Sequence, residues 1–167
     1  MTPRGKIFGE LRIVTKTDEE TRRLGERLGR RVRGGEVIAL SGPLGSGKTT
    51  FTQGFARGAG FKGLAVSPTF SLVRQYRGRL RVCHMDLFRL GGGEIDNLGL
   101  EEYLNDPDGV CLVEWPDGAA AMLPADRLEA SFSHRSRGRA ILYACSVMPP
   151  KRARAWWPSI RPPSLGM

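Results

Sequence analysis

The chain has 167 residues, a net charge of +9, 40% hydrophobic residues and 26% charged residues. That size and composition are ordinary for one globular domain with its own core. No apolar stretch approaches the roughly 20 residues that a membrane-spanning helix needs, and the first residues lack the apolar core of a secretory signal. We therefore expect a cytoplasmic protein with no membrane partner. The basic charge is compatible with RNA or with an acidic partner and does not choose between them.

Helix and strand signals alternate through the first third of the chain. Thr17 or Asp18 can cap a helix that has acidic residues in its first turn and ends near Arg33, before two glycines. Residues 36–40 (EVIAL) form an apolar run that predicts a buried strand. A helix-compatible run follows at residues 49–57.

The segment between that strand and that helix carries the most specific motif of the chain. Residues 42–49 (GPLGSGKT) match G-x-x-x-x-G-K-[ST], the phosphate-binding P-loop, in the strand–loop–helix order that the motif needs. Gly42, Gly45 and Gly47 allow backbone conformations in which successive N–H groups turn inward and form an anion nest. The N-terminus of the following helix adds partial positive charge.

Side chains of the same motif complete a predicted nucleotide site. Lys48 is placed to reach the β- and γ-phosphates of ATP, and the Thr49 hydroxyl is placed to ligate Mg²⁺. Ser46 and Thr50 belong to the same nucleotide-binding stretch, although Thr50 can equally be an ordinary residue of the first helical turn. A Gly-rich loop with a chance lysine is the alternative, and it leaves the flanking strand and helix unexplained.

The rest of the chain is predicted to add hairpins and further strands. Pro68 breaks regular structure, so residues 67–69 are predicted to form a turn. The remaining predicted elements are strands at 70–76, 80–85, 110–113, 128–132 and 140–147, a hairpin turn at 77–79, a Gly-rich loop at 91–93 and a short helix around 99–104. A P-loop unit combined with hairpins predicts an α/β fold: a single P-loop NTPase domain with a mixed central sheet flanked by helices.

Two acidic residues are candidates for holding the metal and its water. Asp86 follows the strand 80–85 and Glu114 follows the strand 110–113, at the carboxyl ends where ligands collect in open α/β sheets. A P-loop enzyme needs an acid at such a position to hold Mg²⁺ or the attacking water. Either acid could instead end a strand or cap a helix, and the sequence leaves open which of them positions the water.

Three other residues near these motifs have two interpretations each. Thr69 follows Pro68 in a rigid turn, where it either senses the γ-phosphate and Mg²⁺, as in P-loop switches, or merely stabilises the turn. We expect His84 to be a packed or edge histidine rather than a catalytic one. Trp115 either shapes the nucleotide pocket or a partner surface, or it belongs to the core.

The cysteines and the C-terminal segment are predicted to lie outside the site. Cys83, Cys111 and Cys145 sit in apolar, strand-like runs without C-x-x-C spacing, so we expect small buried hydrophobes rather than metal ligands or redox centres. We assign residues 1–147 to the domain and residues 148–167 to a basic, Pro-rich tail that we expect to be disordered. Its tryptophans, Trp156 and Trp157, either stack on RNA bases or are simply solvated.

Four motifs, taken in order, resemble the bacterial TsaE (YjeE) family. They are the P-loop at 42–50, SPTFSLV at 67–73, HMDLFRL at 84–90 and LVEWP at 112–116, and the resemblance spans roughly residues 12–147. The chain departs from the family pattern at Pro43, which lacks an N–H group and so removes one potential donor to phosphate.

The resemblance implies a weak ATPase that serves tRNA threonylcarbamoyladenosine biosynthesis. It implies that Thr49 and Glu114 ligate Mg²⁺, that Asp86 lies near the γ-phosphate, that Thr69 belongs to a switch-like loop and that Glu19 lies near the nucleotide base. Family members act with a threonylcarbamoyl transferase subunit and its paralogous scaffold subunit, which modify adenosine 37 of tRNAs that read ANN codons. Whether tRNA touches the ATPase directly is left open.

Two other functions fit parts of the sequence. A small-molecule P-loop kinase needs an Arg-bearing lid, which Arg89 and the loop at 91–93 can imitate, although no further arginine pair lies there. Transfer of phosphate to a metabolite would indicate that function. A nucleotide-binding RNA adaptor without useful hydrolysis would act through the basic tail, and its tRNA binding would depend steeply on salt and would be lost with the tail.

Overall fold

A computed structural model describes residues 9–66, 68, 72–90, 92–135 and 138–146. The strands in these ranges are β1 (Gly9–Thr15), β2 (Val37–Ser41), β3 (Val73–Arg77), β4 (Arg81–Asp86), β5 (Gly109–Glu114), β6 (Leu128–Arg135) and β7 (Gly138–Ser146). The helices are α1 (Asp18–Arg31), α2 (Lys48–Gly58), α3 (Gly92–Ile95) and α4 (Glu101–Leu104), with a 3₁₀ helix at Pro116–Ala119.

The seven described strands form one sheet in the order β1-β7-β6-β2-β5-β4-β3. Its centre is parallel, because β2 pairs with both β5 and β6, and β4 pairs with β5, in parallel. Antiparallel hairpins and returns build both edges, where β3 pairs with β4, and β7 pairs with β6 and β1. The predicted α/β fold with a mixed central sheet is therefore confirmed.

Successive side chains of the central strands point to opposite faces of the sheet, and apolar side chains are buried on both faces. In β2, Ile38 and Leu40 belong to one apolar cluster with the facing sides of α1 and α2, while Val37 and Ala39 belong to a second cluster on the other face. Such coverage on both faces is what a parallel centre requires. Because β2 is buried from Val37 to Leu40, the P-loop leaves the sheet from a rigid base.

Helix α1 begins and ends close to its predicted bounds. The Glu20 amide donates to Thr17 Oγ1 at 3.1 Å, and the Lys16 amide donates to the Glu20 carboxylate at 2.6 Å. These two bonds form a reciprocal cap over the first turn. The helix ends at Arg31 rather than near Arg33, because Val32 already has an extended conformation.

Glycines bring the backbones of α1 and α2 into direct contact. A Cβ atom on Gly25 would lie 2.1 Å from the carbonyl oxygen of Phe51, and one on Gly29 would lie 2.1 Å from that of Phe55. On the facing helix, a Cβ on Gly54 would lie 1.8 Å from the carbonyl oxygen of Arg22. This close approach fixes the position of α2, whose first turn carries the P-loop lysine.

Some elements differ from the sequence prediction or lie outside the described ranges. Strand β1 and helix α3 were not predicted, and the predicted strand at 70–76 is observed from Val73, with residues 70 and 71 undescribed. The hairpin turn at 77–79 joins β3 to β4 as expected. The boundary at 147 and the tail at 148–167 fall outside the described residues. No described helix has the length and apolarity to cross a membrane.

Candidate nucleotide-binding site

The P-loop leaves β2 after Ser41 and enters α2 at Lys48. Gly42, Gly45 and Gly47 have φ angles of 139°, 73° and 107°, a region that side-chain-bearing residues rarely adopt. A Cβ on Gly42 would also lie 2.5 Å from the carbonyl oxygen of Phe132. The loop conformation that the motif predicts is therefore the one observed, and it depends on these glycines.

A cavity of about 400 Å³ opens beside the loop. Its lining contains these residues predicted from the sequence: Gly45, Gly47, Lys48, Thr49, Thr50, Asp86 and Glu114. Asp18, Leu44, Phe88 and Trp115 also line it. The fold thus brings the P-loop and both candidate acids to one cavity.

Lys48 directs a desolvated cation toward this cavity. The residue is only 5% exposed, its Nζ donates to the carbonyl oxygen of Gly42, and it lies 3.7 Å from the centroid of the Trp115 ring. Burial lowers the pKa of Lys48, while the negative charges of Glu114 and Asp86 oppose that shift. A cation with so little water around it attracts a polyphosphate more strongly than an exposed lysine does.

The two acids come together because β4 and β5 are parallel neighbours. Asp86 stands opposite Glu114 in the register of that pair, and Leu40 at the end of β2 also pairs with Glu114. Glu114 is 3% exposed, whereas Asp86 is partly exposed and accepts a hydrogen bond from the Phe88 amide at 3.0 Å. The carboxylates therefore occupy one edge of the sheet, next to the start of the P-loop.

His84 holds the buried carboxylate. Its Nε2 lies 3.0 Å from Glu114 Oε1, and its side chain is fully buried. Within the described ranges, Nδ1 of the same ring is buried without a hydrogen-bond partner. The expectation that His84 is packed is correct, but its bond to Glu114 was missed. The available signal was its spacing of two from Asp86, which puts both residues on one face of β4.

Trp115 belongs to the cavity wall rather than to the core. It is half-buried, has a left-handed backbone with φ of 55°, and its ring centroid lies 4.7 Å from that of Phe88. The Trp115 amide donates to the carbonyl oxygen of Leu40 at 3.2 Å, which ties the unusual backbone to the end of β2. Of the two interpretations of this residue, the structure supports the pocket.

The remaining predicted site residues have different surroundings. Glu19 is exposed and pairs with Arg22 at 2.8 Å and Arg23 at 3.3 Å, and the hydrogen bond from Arg22 lowers its pKa. The neighbouring Asp18 lines the cavity instead, so a contact of Glu19 with the base stays a prediction. Ser46 is buried, and its Oγ has no hydrogen-bond partner in the described structure. Thr69 lies outside the described residues.

The oxygen donors at the cavity suit a magnesium ion that arrives with a nucleotide. Mg²⁺ is usually held by one or two carboxylates together with substrate phosphates, and the Thr49 hydroxyl and Glu114 carboxylate both line the cavity. In the part of the chain that the structure describes, no group of three or more His, Cys, Asp or Glu side chains could hold a metal by itself. The donor set therefore fits a metal that shares its ligands with phosphate.

The described cysteines are buried thiols. Cys83 and Cys111 are free, buried and opposite each other on β4 and β5. Hydrogen bonding with the Cys83 thiol, together with burial, raises the pKa of Cys111 far above its usual range. A thiol held protonated in this way is a poor nucleophile and metal ligand. The side chain of Cys145 lies outside the described part of the structure.

Comparison with known proteins places the chain in a family. The family described as "Threonylcarbamoyl adenosine biosynthesis protein TsaE" matches residues 15–141. The chain belongs to the TsaE family. This family takes part in tRNA threonylcarbamoyladenosine biosynthesis, and the resemblance inferred from the four motifs is confirmed.

Relatives in distant bacteria agree with this assignment. The tRNA threonylcarbamoyladenosine biosynthesis protein TsaE of Bacillus subtilis is 41% identical over 121 residues, which are 72% of this chain and 75% of that protein. The protein of the same name from Treponema pallidum is 39% identical over 115 residues, covering 68% of this chain and 84% of its own length. The crystal structure of Bacillus subtilis YdiB superposes with a TM-score of 0.75 at 30% identity, covering 91% of this chain and 94% of that one. The fold is thus the P-loop NTPase fold of TsaE proteins.

Proposed function

We propose that this TsaE-family protein binds and hydrolyses ATP as an accessory subunit in the threonylcarbamoyl modification of adenosine 37 in tRNAs that read ANN codons. It acts in the cytoplasm on an assembly of a threonylcarbamoyl transferase subunit and its paralogous scaffold subunit. The observation that carries the proposal is the shared cavity, in which a P-loop lysine meets carboxylates from the ends of two neighbouring strands.

The P-loop binds the phosphates of ATP in this proposal. Backbone N–H groups from the glycine-containing loop and the first turn of α2 surround the phosphate oxygens. Lys48 exchanges its contacts with the Gly42 carbonyl and the Trp115 ring for the β- and γ-phosphates. Asp18 at the start of α1 and Trp115 border the remaining space.

Thr49 and Glu114 would hold Mg²⁺, and Asp86 would orient the attacking water. When bound, the metal neutralises charge on the transferring phosphate oxygens. His84 keeps the Glu114 carboxylate in one orientation, while the partial exposure of Asp86 leaves its carboxylate accessible to water. Thr69 is proposed as the residue of the switch-like loop that senses the γ-phosphate.

The composition of the cavity wall supports weak activity of the protein alone. Among the described residues that line the cavity, Lys48 is the only cation, and no arginine is present. An arginine supplied by a partner increases phosphoryl transfer by about 10³- to 10⁵-fold in other P-loop proteins. Stimulation by the partner subunits is therefore expected.

Hydrolysis of ATP with Mg²⁺, measured with and without the cognate transferase and scaffold subunits, tests the proposal. We expect slow turnover alone and clear stimulation by the pair. Lys48→Ala should lose ATP binding and stimulated turnover, whereas Arg23→Ala removes an exposed positive charge on α1 and should keep both. Unstimulated hydrolysis, with phosphate passed to a small metabolite, would reject the proposal and favour a kinase.

A further inference from the structure

Three segments converge at the end of the molecule opposite the P-loop. They are residues 29–33 at the end of α1, 57–62 at the end of α2, and 77–79 at the end of β3 and in the turn to β4. The Arg79 amide donates to the carbonyl oxygen of Ala59 at 2.8 Å, and the Arg79 guanidinium donates to the carbonyl oxygens of Gly29 and Val32 at 2.9 and 3.0 Å. We call the surface formed by these segments the basic end.

The basic end carries positive charge without internal compensation. Seven of its fourteen residues are Arg or Lys, and none is Asp or Glu. Arg33, Arg57, Lys62 and Arg77 are exposed, and none of these four forms an ion pair with any residue that the structure describes. Their charges are therefore available to a partner.

The carboxylates around the basic end are largely engaged already, and one of them, Glu26, pairs with a cation of the surface itself. Glu26 pairs with Arg30, and Asp106 pairs with Arg81 at 2.6 Å. The carboxylate of Glu36 is buried and accepts the backbone amides of Arg33 and Gly34 at 2.9 and 2.7 Å. Asp108, exposed in the loop beside Gly34, marks the border of the surface.

Some of these cations stabilise the fold, and the others have no such structural role in the part of the chain that the structure describes. Arg79 satisfies the last carbonyls of α1, and Arg57 lies in the last turn of α2, where the helix dipole favours a cation. Arg33, Lys62 and Arg77 lie outside the helices and donate no side-chain hydrogen bond to a described residue. Three unpaired cations thus remain on three different segments without a structural role.

We propose that the basic end binds the phosphodiester backbone of RNA. Protein–protein interfaces have an apolar, aromatic-rich centre, whereas nucleic-acid interfaces are polar and strongly positive. Within the three segments Val32 and Ala59 are buried and Phe61 packs against the core, so the exposed residues of this surface are all Arg, Lys or Gly. Leu64, a large hydrophobic side chain at 68% exposure, lies just outside them. The surface therefore fits a polyanion better than an acidic protein.

The placement allows RNA and nucleotide to bind at the same time. α1 lies between Asp18 at the cavity and the basic end, and its 14 residues span about 21 Å at 1.5 Å per residue. Phosphate groups of RNA at the basic end would not occupy the P-loop. That the RNA is a tRNA rests on the proposed function. That this surface binds RNA rests on the unpaired positive charges described above.

Binding of an unmodified tRNA transcript to the full-length protein over a range of salt concentrations tests this inference. Arg33→Gln/Lys62→Gln/Arg77→Gln should weaken binding and reduce the slope of log K against log salt by about 0.7–0.9 for each phosphate that the variant no longer neutralises. The matched control, Lys16→Gln/Arg23→Gln/Arg74→Gln, also removes three positive charges, but from exposed residues outside the basic end. It should retain the parental slope. Every variant keeps residues 148–167, so the difference between the two isolates the surface.

Three outcomes would contradict the inference. An equal decrease in affinity in both triple variants would mean that only net charge matters, and no tRNA binding by the parent would exclude an RNA contact. Parental tRNA affinity together with abolished binding to the transferase pair would assign the surface to a protein. ATP binding, measured on the same variants, should stay parental. A parent that binds tRNA at this surface but shows no stimulated ATP hydrolysis would reject the proposed function alone.

Discussion

At the scale of single residues, the pair His84–Glu114 leaves a buried ring nitrogen without a hydrogen bond to any described residue. Such a nitrogen destabilises the fold, so fold stability does not explain the arrangement. The bond between His84 Nε2 and Glu114 Oε1 is 3.0 Å long and buried, yet within the described residues Nδ1 of His84 is buried without a partner. Buried polar atoms are almost always hydrogen-bonded, so an exception needs a reason. Orientation of Glu114 as the proposed metal ligand is such a reason, since groups behind metal ligands fix their geometry.

Replacing His84 should therefore change the Mg²⁺ dependence of nucleotide binding more than it changes nucleotide affinity in the absence of metal. We expect His84→Met, which removes the donor to Glu114, to raise the Mg²⁺ concentration needed for tight nucleotide binding by about 10- to 100-fold. His84→Gln keeps an N–H donor at a similar reach and should stay near the parent. Titration of a fluorescent nucleotide, with and without Mg²⁺, measures both quantities.

Glu114→Ala provides the reference for this experiment, because it removes the proposed ligand itself. It should share the metal defect of His84→Met, with nucleotide affinity in the absence of metal close to parental. An equal decrease in affinity with and without Mg²⁺ in His84→Met would mean that the histidine only supports the fold. Unchanged metal dependence in Glu114→Ala would move the metal role to Asp86.

The buried ammonium of Lys48 predicts a pH dependence of stability in the nucleotide-free protein. Burial holds the pKa of Lys48 below 10.5, against the opposing charges of Glu114 and Asp86. Between the lowered pKa and 10.5, the unfolded chain binds a proton that the folded chain has released, so the free energy of unfolding rises with pH. Denaturant unfolding from neutral pH to 10.5 should show the parent gaining stability relative to Lys48→Met. Lys62→Met, at an exposed lysine, should run parallel to the parent, and parallel curves for Lys48→Met would contradict the prediction.

At the scale of elements, the site depends on how closely α1 packs against α2. Four glycines mediate the contact, with Gly25 and Gly29 on α1 facing a backbone that includes Gly54 and Gly58 on α2. By propensity alone, glycine weakens a helix by about 1 kcal/mol relative to alanine. From the sequence alone, these glycines would be expected only to weaken the two helices. Their presence is explained by the close packing of the helix backbones.

Gly29→Ala should destabilise the protein despite the higher helix propensity of alanine. The new Cβ would lie 2.1 Å from the carbonyl oxygen of Phe55, so the helices must separate, at a cost of about 1–3 kcal/mol. Gly93→Ala in α3 is the control, because nothing lies within 4 Å of the added Cβ. Urea unfolding measures both variants. A Gly29→Ala protein as stable as the parent would show that the helix pair tolerates a wider spacing.

Element prediction from the sequence succeeded where a local signal was strong. The cap predicted at Thr17 or Asp18, the apolar run of β2 and the glycine spacing of the P-loop each express one local physical rule. All three are observed, the cap at Thr17. Strand β1 was missed although it carries a local signal, since residues 10–13 alternate between polar and apolar side chains and residues 13–15 are β-branched. Its partner, β7, lies at the far end of the chain, so the pairing itself could not be seen from the sequence.

At the scale of the whole molecule, the strand order assembles the cavity. β5 lies between β2 and β4, so Glu114 stands beside both the end of β2 and Asp86. The sequence shows only that each acid follows an apolar strand. The same long-range folding gathers the basic end from three segments that are distant in sequence, each of which contributes two or three Arg or Lys residues.

The sequence by itself determined the P-loop, the class of fold and the family, and it picked out the two acids as candidates, because each rests on residue types at fixed spacings or in a fixed order along the chain. The tertiary structure decided which side chains meet: His84 with Glu114, Trp115 with Lys48 and Arg79 with the end of α1. These contacts join residues on separate elements of the chain. Their geometry follows from strand register and helix packing, which sum many weak interactions over the whole domain and leave no local mark in the sequence.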